Sequence, residues 1–289
     1  MEITLFTKCI FEFLGTLVLV LMGDGVCAAC TLEKSKAKGA GWVVISLAWG
    51  FAVMCGVFIA GPYSGAHLNP AVTLGLAIAG GFAWDAVLPY IAAQMLGGFA
   101  GALLVYVFYY DHYKASSQNP DGMLGTFCTM PAIEHKSINF LSELIATFIL
   151  VFCIMALGTS GNTASFEGST ISVGGIGAFP VTCLIMALGM SLGGTTGYAM
   201  NPARDLSPRI AHAILPLKGK RDSGWGYSWV PYWVLSQEQP VQQDFTFWFT
   251  NRWTYENRQL EEDVNQNDDY HLFDFFVDRQ FDGSDSFTG

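Results

Sequence analysis

The chain has 289 residues, of which 52% are hydrophobic and only 13% charged, with a formal net charge of −10 at pH 7. So many apolar residues with so few charges argue against an ordinary soluble domain and fit a multi-span membrane protein. The acidity is local: residues 1–235 carry 11 Lys+Arg against 12 Asp+Glu, a net of −1, while residues 236–289 carry 3 against 12, a net of −9. The charge therefore describes the tail and says nothing about the partners of the apolar part.

Five long low-charge runs follow in order, at 9–30, 41–61, 86–110, 138–158 and 171–194. Each has about 20 residues or more, enough to cross a ~30 Å hydrocarbon core as a helix. The first lacks a strongly basic leader and contains Glu12, so it reads as a span and not as a cleavable signal peptide. Seven cysteines are scattered before residue 190. The pair in Cys27-Ala-Ala-Cys30 has redox spacing, but in an apolar run buried Cys behaves as a small hydrophobe.

The sequence repeats itself. FEFLGTLVLVLMG and a later SGAHLNPAVT in the first half answer SELIATFILVFCIMALG and a later TGYAMNPARD in the second. Glu12 precedes Asn69 by 57 residues, and Glu143 precedes Asn201 by 58. Each unit reads as span, span, short Asn-Pro-Ala segment, span. Three full spans in the first unit reverse the chain's direction, so the two units are expected to be inverted in the membrane, an architecture of membrane pathways. Asn is a preferred helix N-cap and Pro suits the first helical position. Asn69-Pro70-Ala71 and Asn201-Pro202-Ala203 therefore start short helices, over 71–79 and 203–214, that cannot span. Irregular backbone at that depth is tolerated only where it lines a wet cavity or is buried in protein.

These two motifs, with the duplicated acids, resemble the aquaporin family. Asp205 after Asn-Pro-Ala-Arg, and Gly189 twelve residues before Asn201, are similar to its aquaglyceroporin branch, and the likeness covers roughly residues 8–231. It implies an all-α membrane fold with two re-entrant half-helices and six spans. It implies that Asn69 and Asn201 donate hydrogen bonds to a permeant at mid-pore, and that Trp49, Gly189, Tyr198 and Arg204 form a narrower filter. It also implies an acceptor ladder from the carbonyls of Gly65, Ala66 and His67 and of Thr196, Gly197 and Tyr198. Glu12 and Glu143 would hold the loops presenting them, and Asp205 would support the second half-helix. The implied permeants are glycerol, similar small neutral polyols and water, passing through a homotetramer with one pore per subunit in a cell-membrane bilayer. The chemistry agrees: Trp49 and Tyr198 offer an apolar corner to CH groups, Arg204 donates to hydroxyl oxygens, and a missing side chain at Gly189 leaves room. The branch commonly has Phe where Tyr198 stands, which bears on the ranking of solutes.

Other readings compete at single residues. Arg204 would otherwise form a structural ion pair with Asp205. His67 reads as packed pore wall more readily than as a base, and Trp49 as an interfacial aromatic is the strongest rival among filter residues. Gly97, Gly98 and Gly101 suit close helix packing. Asp24, in Met-Gly-Asp-Gly, is unexplained by the pattern and is assigned to the outer end of the first span. No metal-ligand cluster, phosphate loop or nucleophile–base spacing is recognisable, so no cofactor, nucleic acid or bond-making chemistry is implied. A water-selective pore, a membrane enzyme using Cys or His, and a closed structural protein are the alternatives. The family places the N-terminus in the cytoplasm, whereas the distribution of Lys and Arg favours the reverse orientation.

The end of the chain departs from the pattern. A sixth span begins at 227–235, but a glycine-free stretch rich in Gln, Asp, Glu and aromatics follows. Reading the third base of each codon with the first two of the next, from Tyr232 and Trp233, forces Leu-Gly. The same frame permits LGPIAGAACAAGLYLLVY, an apolar span. A frameshift near codon 232 therefore accounts for residues 236–289 as a non-family tail. A chain lacking its sixth span is expected to insert poorly, because that span covers the second half-helix. A genuine acidic tail that binds a partner is the rival reading.

Overall fold

A computed structural model describes residues 3–159, 163–166, 169–172 and 177–230. All of these lie in one compact unit. The tail at 236–289 lies outside the described residues.

Among the described residues, four helices are long and apolar enough to cross a membrane: α1 (Leu5–Thr31), α2 (Trp42–Ser64), α4 (Trp84–Phe108) and α7 (Lys136–Thr159). Thr4 caps α1, its hydroxyl accepting from the Thr7 N–H at 3.2 Å. Two short helices, α3 (Pro70–Ile78) and α9 (Pro202–Ile214), begin at the two Asn-Pro-Ala motifs as expected. Two further short helices, α5 (Tyr110–Ala115) and α6 (Pro120–Gly125), occupy the connection between the repeats, and α8 (Phe179–Leu192) precedes α9 in the chain.

The fifth run differs from its expectation. A small antiparallel hairpin, β1 (Thr163–Phe166) with β2 (Ser169–Ser172), takes the start of the stretch read as a span, and α8 has 14 residues. At ~1.5 Å per residue that is ~21 Å, short of a full crossing. Thr170, Ile171 and Val173 are β-branched and Gly174 and Gly175 follow, so an apolar run here does not specify a helix. Residues 225–230 are helical, at the place where the sixth span is expected to begin.

Burial is distributed opposite to a water-soluble protein. Phe6, Leu88, Val107, Phe108 and Ile133 are 68–79% exposed, whereas Glu12, Asp24, Gln94, Glu143, Asp205 and Arg209 are at most 1% exposed. Apolar side chains face outward as they do towards lipid, and the buried polar groups need partners inside.

Packing explains the glycines of α4. A Cβ at Gly97 would strike the Phe13 carbonyl and one at Gly101 would lie 2.6 Å from the Leu17 carbonyl, so α1 and α4 approach backbone to backbone. A Cβ at Gly98 would strike the Ala203 carbonyl, so α4 also supports α9. The halves meet through corresponding elements, α2 on α8 and α3 on α9.

Candidate functional site

Each of the two half-helices, α3 and α9, is capped by its Asn side chain. Asn69 has extended backbone (φ −156°, ψ 119°), and its Oδ1 accepts from the Ala71 N–H at 2.8 Å. Asn201 does the same (φ −148°, ψ 107°), accepting from Ala203 at 2.9 Å and Arg204 at 3.3 Å. The amide nitrogens then cross over. Asn69 Nδ2 donates to the Met200 carbonyl and Asn201 Nδ2 donates to the Leu68 carbonyl, each at 2.9 Å. Pro70 and Pro202 occupy the first helical positions, where a missing N–H costs nothing.

The segments leading into the caps share one conformation. Gly65, Ala66 and Leu68 have φ of 86°, 52° and 53°; Gly197, Tyr198 and Met200 have 87°, 43° and 43°. Non-glycine residues in the left-handed region cost of order 1–3 kcal/mol each, so something must hold them. Buried carboxylates do. Glu12 accepts from the N–H groups of His67 (2.9 Å) and Leu68 (2.8 Å), from Ser64 Oγ (2.6 Å) and from Gln94 Nε2 (2.8 Å). Glu143 accepts from the N–H groups of Ala199 (3.0 Å) and Met200 (3.2 Å). A carboxylate is an acceptor-only group with room for several donors, so it can turn consecutive N–H groups to one side.

A cavity of about 180 Å³ runs past both caps. Gly65, Ala66, His67, Asn69, Asn201, Tyr198, Arg204 and Trp49 all line it. His67 also packs on Phe82 and Tyr90, with ring centroids 4.6 and 5.1 Å away, and its Nδ1 is 3.1 Å from Thr73 Oγ1. Trp49 is held by its indole N–H, which donates to Cys27 Sγ at 3.5 Å, and the Arg204 guanidinium lies 4.2 Å above its ring centroid.

Three residues of the expected filter and acceptor ladder stand outside the lining: Gly189, Thr196 and Gly197. Gly189 leaves room, but not for a guest. A Cβ there would lie 2.9 Å from Ser46 Oγ and 3.0 Å from Tyr198 Cζ, so the Tyr198 ring occupies the space. Thr196 is buried, and a Cβ on Gly197 would meet Thr129 at 3.1 Å. The rest of the wall is apolar, with Val53, Val57, Leu150 and Ile185 among its residues. These were not singled out from the sequence because every face of the spans is apolar.

The charged residues go against the rival reading of Arg204 as the ion partner of Asp205. Asp205 does not pair with Arg204. Its carboxylate accepts from Thr129 N (2.6 Å), Thr129 Oγ1 (2.8 Å) and Arg209 Nη2 (3.1 Å). Arg209 in turn donates to the carbonyls of Thr129 (2.8 Å) and Ser223 (2.7 Å). Asp24 is not at the end of its span but buried within α1, its Oδ1 3.8 Å from Arg204 Nη1.

A family model described as "Major intrinsic protein" matches residues 1–235. The chain belongs to that family. It is a multi-pass integral membrane protein. It is 53% identical over 220 residues to "Glycerol uptake facilitator protein 3" of Lactiplantibacillus plantarum, covering 76% of this chain and 87% of that one. It is 50% identical over 220 residues to a "Glycerol uptake facilitator protein" of Streptococcus pneumoniae strain R6, covering 76% and 89%. Among solved structures it is similar to the aquaglyceroporin from Plasmodium falciparum, with a TM-score of 0.70 and 30% identity over 84% of this chain and 95% of that one.

Proposed function

We propose that the chain forms a passive channel through which glycerol, similar small neutral polyols and water move down their gradients across the cell membrane. One observation carries this reading. The two Asn caps bond to each other's preceding segment, and the cavity beside them is lined by both amides, by Trp49 and by Arg204. An amide NH₂ has two donor hydrogens. One on each Asn is committed across the repeats, and the other serves a guest's hydroxyl oxygen. The carbonyls of the left-handed segments accept hydroxyl protons in turn, and the apolar wall faces the carbon edge of a polyol.

Ion exclusion follows from the same parts. The N-terminus of each half-helix carries about +0.5 of an elementary charge, and two such ends beside Arg204 oppose cations and protons. The two repeats are taken to run in opposite directions, with Trp49, Tyr198 and Arg204 as the constriction and Gly189 setting its width indirectly through Tyr198. Four copies, each with its own pore, make the assembly. Residues 1–235 form the channel domain, and residues 236–289 are a tail of frameshift origin that replaces the sixth span.

The test is stopped-flow glycerol and water uptake into liposomes carrying the 289-residue chain, beside a version with the reading frame restored from codon 232. Glycerol flux well above empty liposomes is expected from the frame-restored protein, and much less from the 289-residue chain, which is expected to insert poorly. Water flux without glycerol flux would support a water-selective pore instead. An intact reading frame through residue 289 on re-sequencing would remove the frameshift as the origin of the tail.

A further inference from the structure

Asp24 has a property that the repeat pattern does not account for. It lies in α1, fully buried, and neither carboxylate oxygen accepts a hydrogen bond from the described residues. A buried carboxylate without a donor is strongly disfavoured as an anion unless a cation lies close by. That cation is Arg204, with Nη1 at 3.8 Å. Arg204 has no other carboxylate within 4.0 Å among the described residues, because Asp205 is bound to Thr129 and Arg209. Asp24 does not line the cavity, so it meets the guanidinium from behind.

Its neighbours on α1 serve the same wall. Cys27, three residues on, accepts from the Trp49 indole. At Gly23 any Cβ would strike the Trp49 ring. One helical stretch thus backs both the aromatic and the cationic side of the constriction.

We propose that Asp24 is a positioning and specificity residue: it holds Arg204 in place and offsets its charge. The constriction then offers guanidinium donors to a neutral polyol without a net cationic pull. A lone cation in a narrow, low-dielectric passage concentrates anions, whereas a carboxylate directly behind it cancels most of that field. Small carboxylates are therefore denied the advantage that Arg204 alone would give them. This inference rests on the channel reading above.

The test compares the full chain, its reading frame restored from codon 232, with the Asp24→Asn and Asp24→Glu variants of that chain in liposomes, measuring glycerol uptake and labelled lactate uptake at neutral pH, where lactate is an anion. Asp24→Asn is expected to raise the lactate-to-glycerol flux ratio by about tenfold, equivalent to about 1.4 kcal/mol. Asp24→Glu, which keeps the charge, is expected to stay within about twofold of the parent. An unchanged ratio in Asp24→Asn, with glycerol flux intact, would overturn the role of Asp24 while leaving the channel standing. No glycerol flux in the parent would instead fail the channel reading.

A stability arm needs no flux. Arg204→Gln strands the Asp24 charge, so Asp24→Asn added to Arg204→Gln is expected to raise the melting temperature in detergent above that of Arg204→Gln alone. A double variant no more stable than Arg204→Gln would overturn the pairing.

Discussion

The two cap junctions are alike in backbone and unlike in what secures them. In the first, Glu12 gathers donors from its own connecting segment and also from Gln94, which belongs to a full span, α4. Gln94 reaches on to Thr73 Oγ1 at 2.9 Å, so the span, the acid and the half-helix form one neutral-donor network. In the second, Glu143 takes N–H groups from its own segment, and α9 is anchored mainly through the Asp205–Arg209 pair to loop carbonyls. Among the described residues, the long helix that α9 packs on is α4, from the other repeat. One half-helix is thus secured by its own repeat's third span, the other by a buried ion pair and a borrowed neighbour.

Arg209→Met should expose this difference most. It leaves Asp205 buried without its cation, which costs about 3–5 kcal/mol when one partner of such a pair is removed. Thermal unfolding in detergent should show a larger loss than any change at Glu12; an equal loss would mean that the junctions are equally secured. Glu12→Gln comes next. It turns one acceptor oxygen into a donor facing donors, at about 1.5–3 kcal/mol for a charged hydrogen bond. Glu143→Gln, which among the described residues has no donor from a span to disappoint, should cost less in the same assay, and the reverse order would sink the distinction. Gly98→Ala tests the borrowed neighbour: pushing a methyl against the Ala203 carbonyl should cost about 1–3 kcal/mol and lower glycerol flux by displacing α9. Tyr198→Phe should be smallest. It removes a buried hydroxyl that has no hydrogen-bond partner among the described residues, so the glycerol-to-water flux ratio should move by less than about tenfold.

Much of this was legible in the sequence because it is local chemistry. Asn before Pro specifies a cap and a first turn wherever it occurs, so both half-helices begin where the motifs put them. Glu12 and Glu143 were legible as a pair through their spacing to the caps. The part that was not legible depends on contacts between distant segments. Arg204 and Asp205 are adjacent in sequence, and adjacency favours pairing them. On a helix, however, successive residues point about 100° apart, and their partners turn out to be Asp24 and Arg209. What occupies the space beside Gly189 is likewise set by the fold, which brings the Tyr198 ring against it. The fifth run was read as one span because apolar character alone does not separate Thr170-Ile171 in a strand from Phe179–Leu192 in a helix.

The crossed amide bonds also impose an order of events on the ribosome. Asn69 is bonded to a carbonyl made 131 residues later. At ~5–20 residues per second, that partner emerges on the order of 10 s after the cap itself. Until then the first half-helix has an incomplete tip at the depth where water is scarcest. The centre of the molecule therefore closes as a late joint step of both repeats, and the first repeat must wait, tethered by Glu12 and Gln94, for the second to arrive.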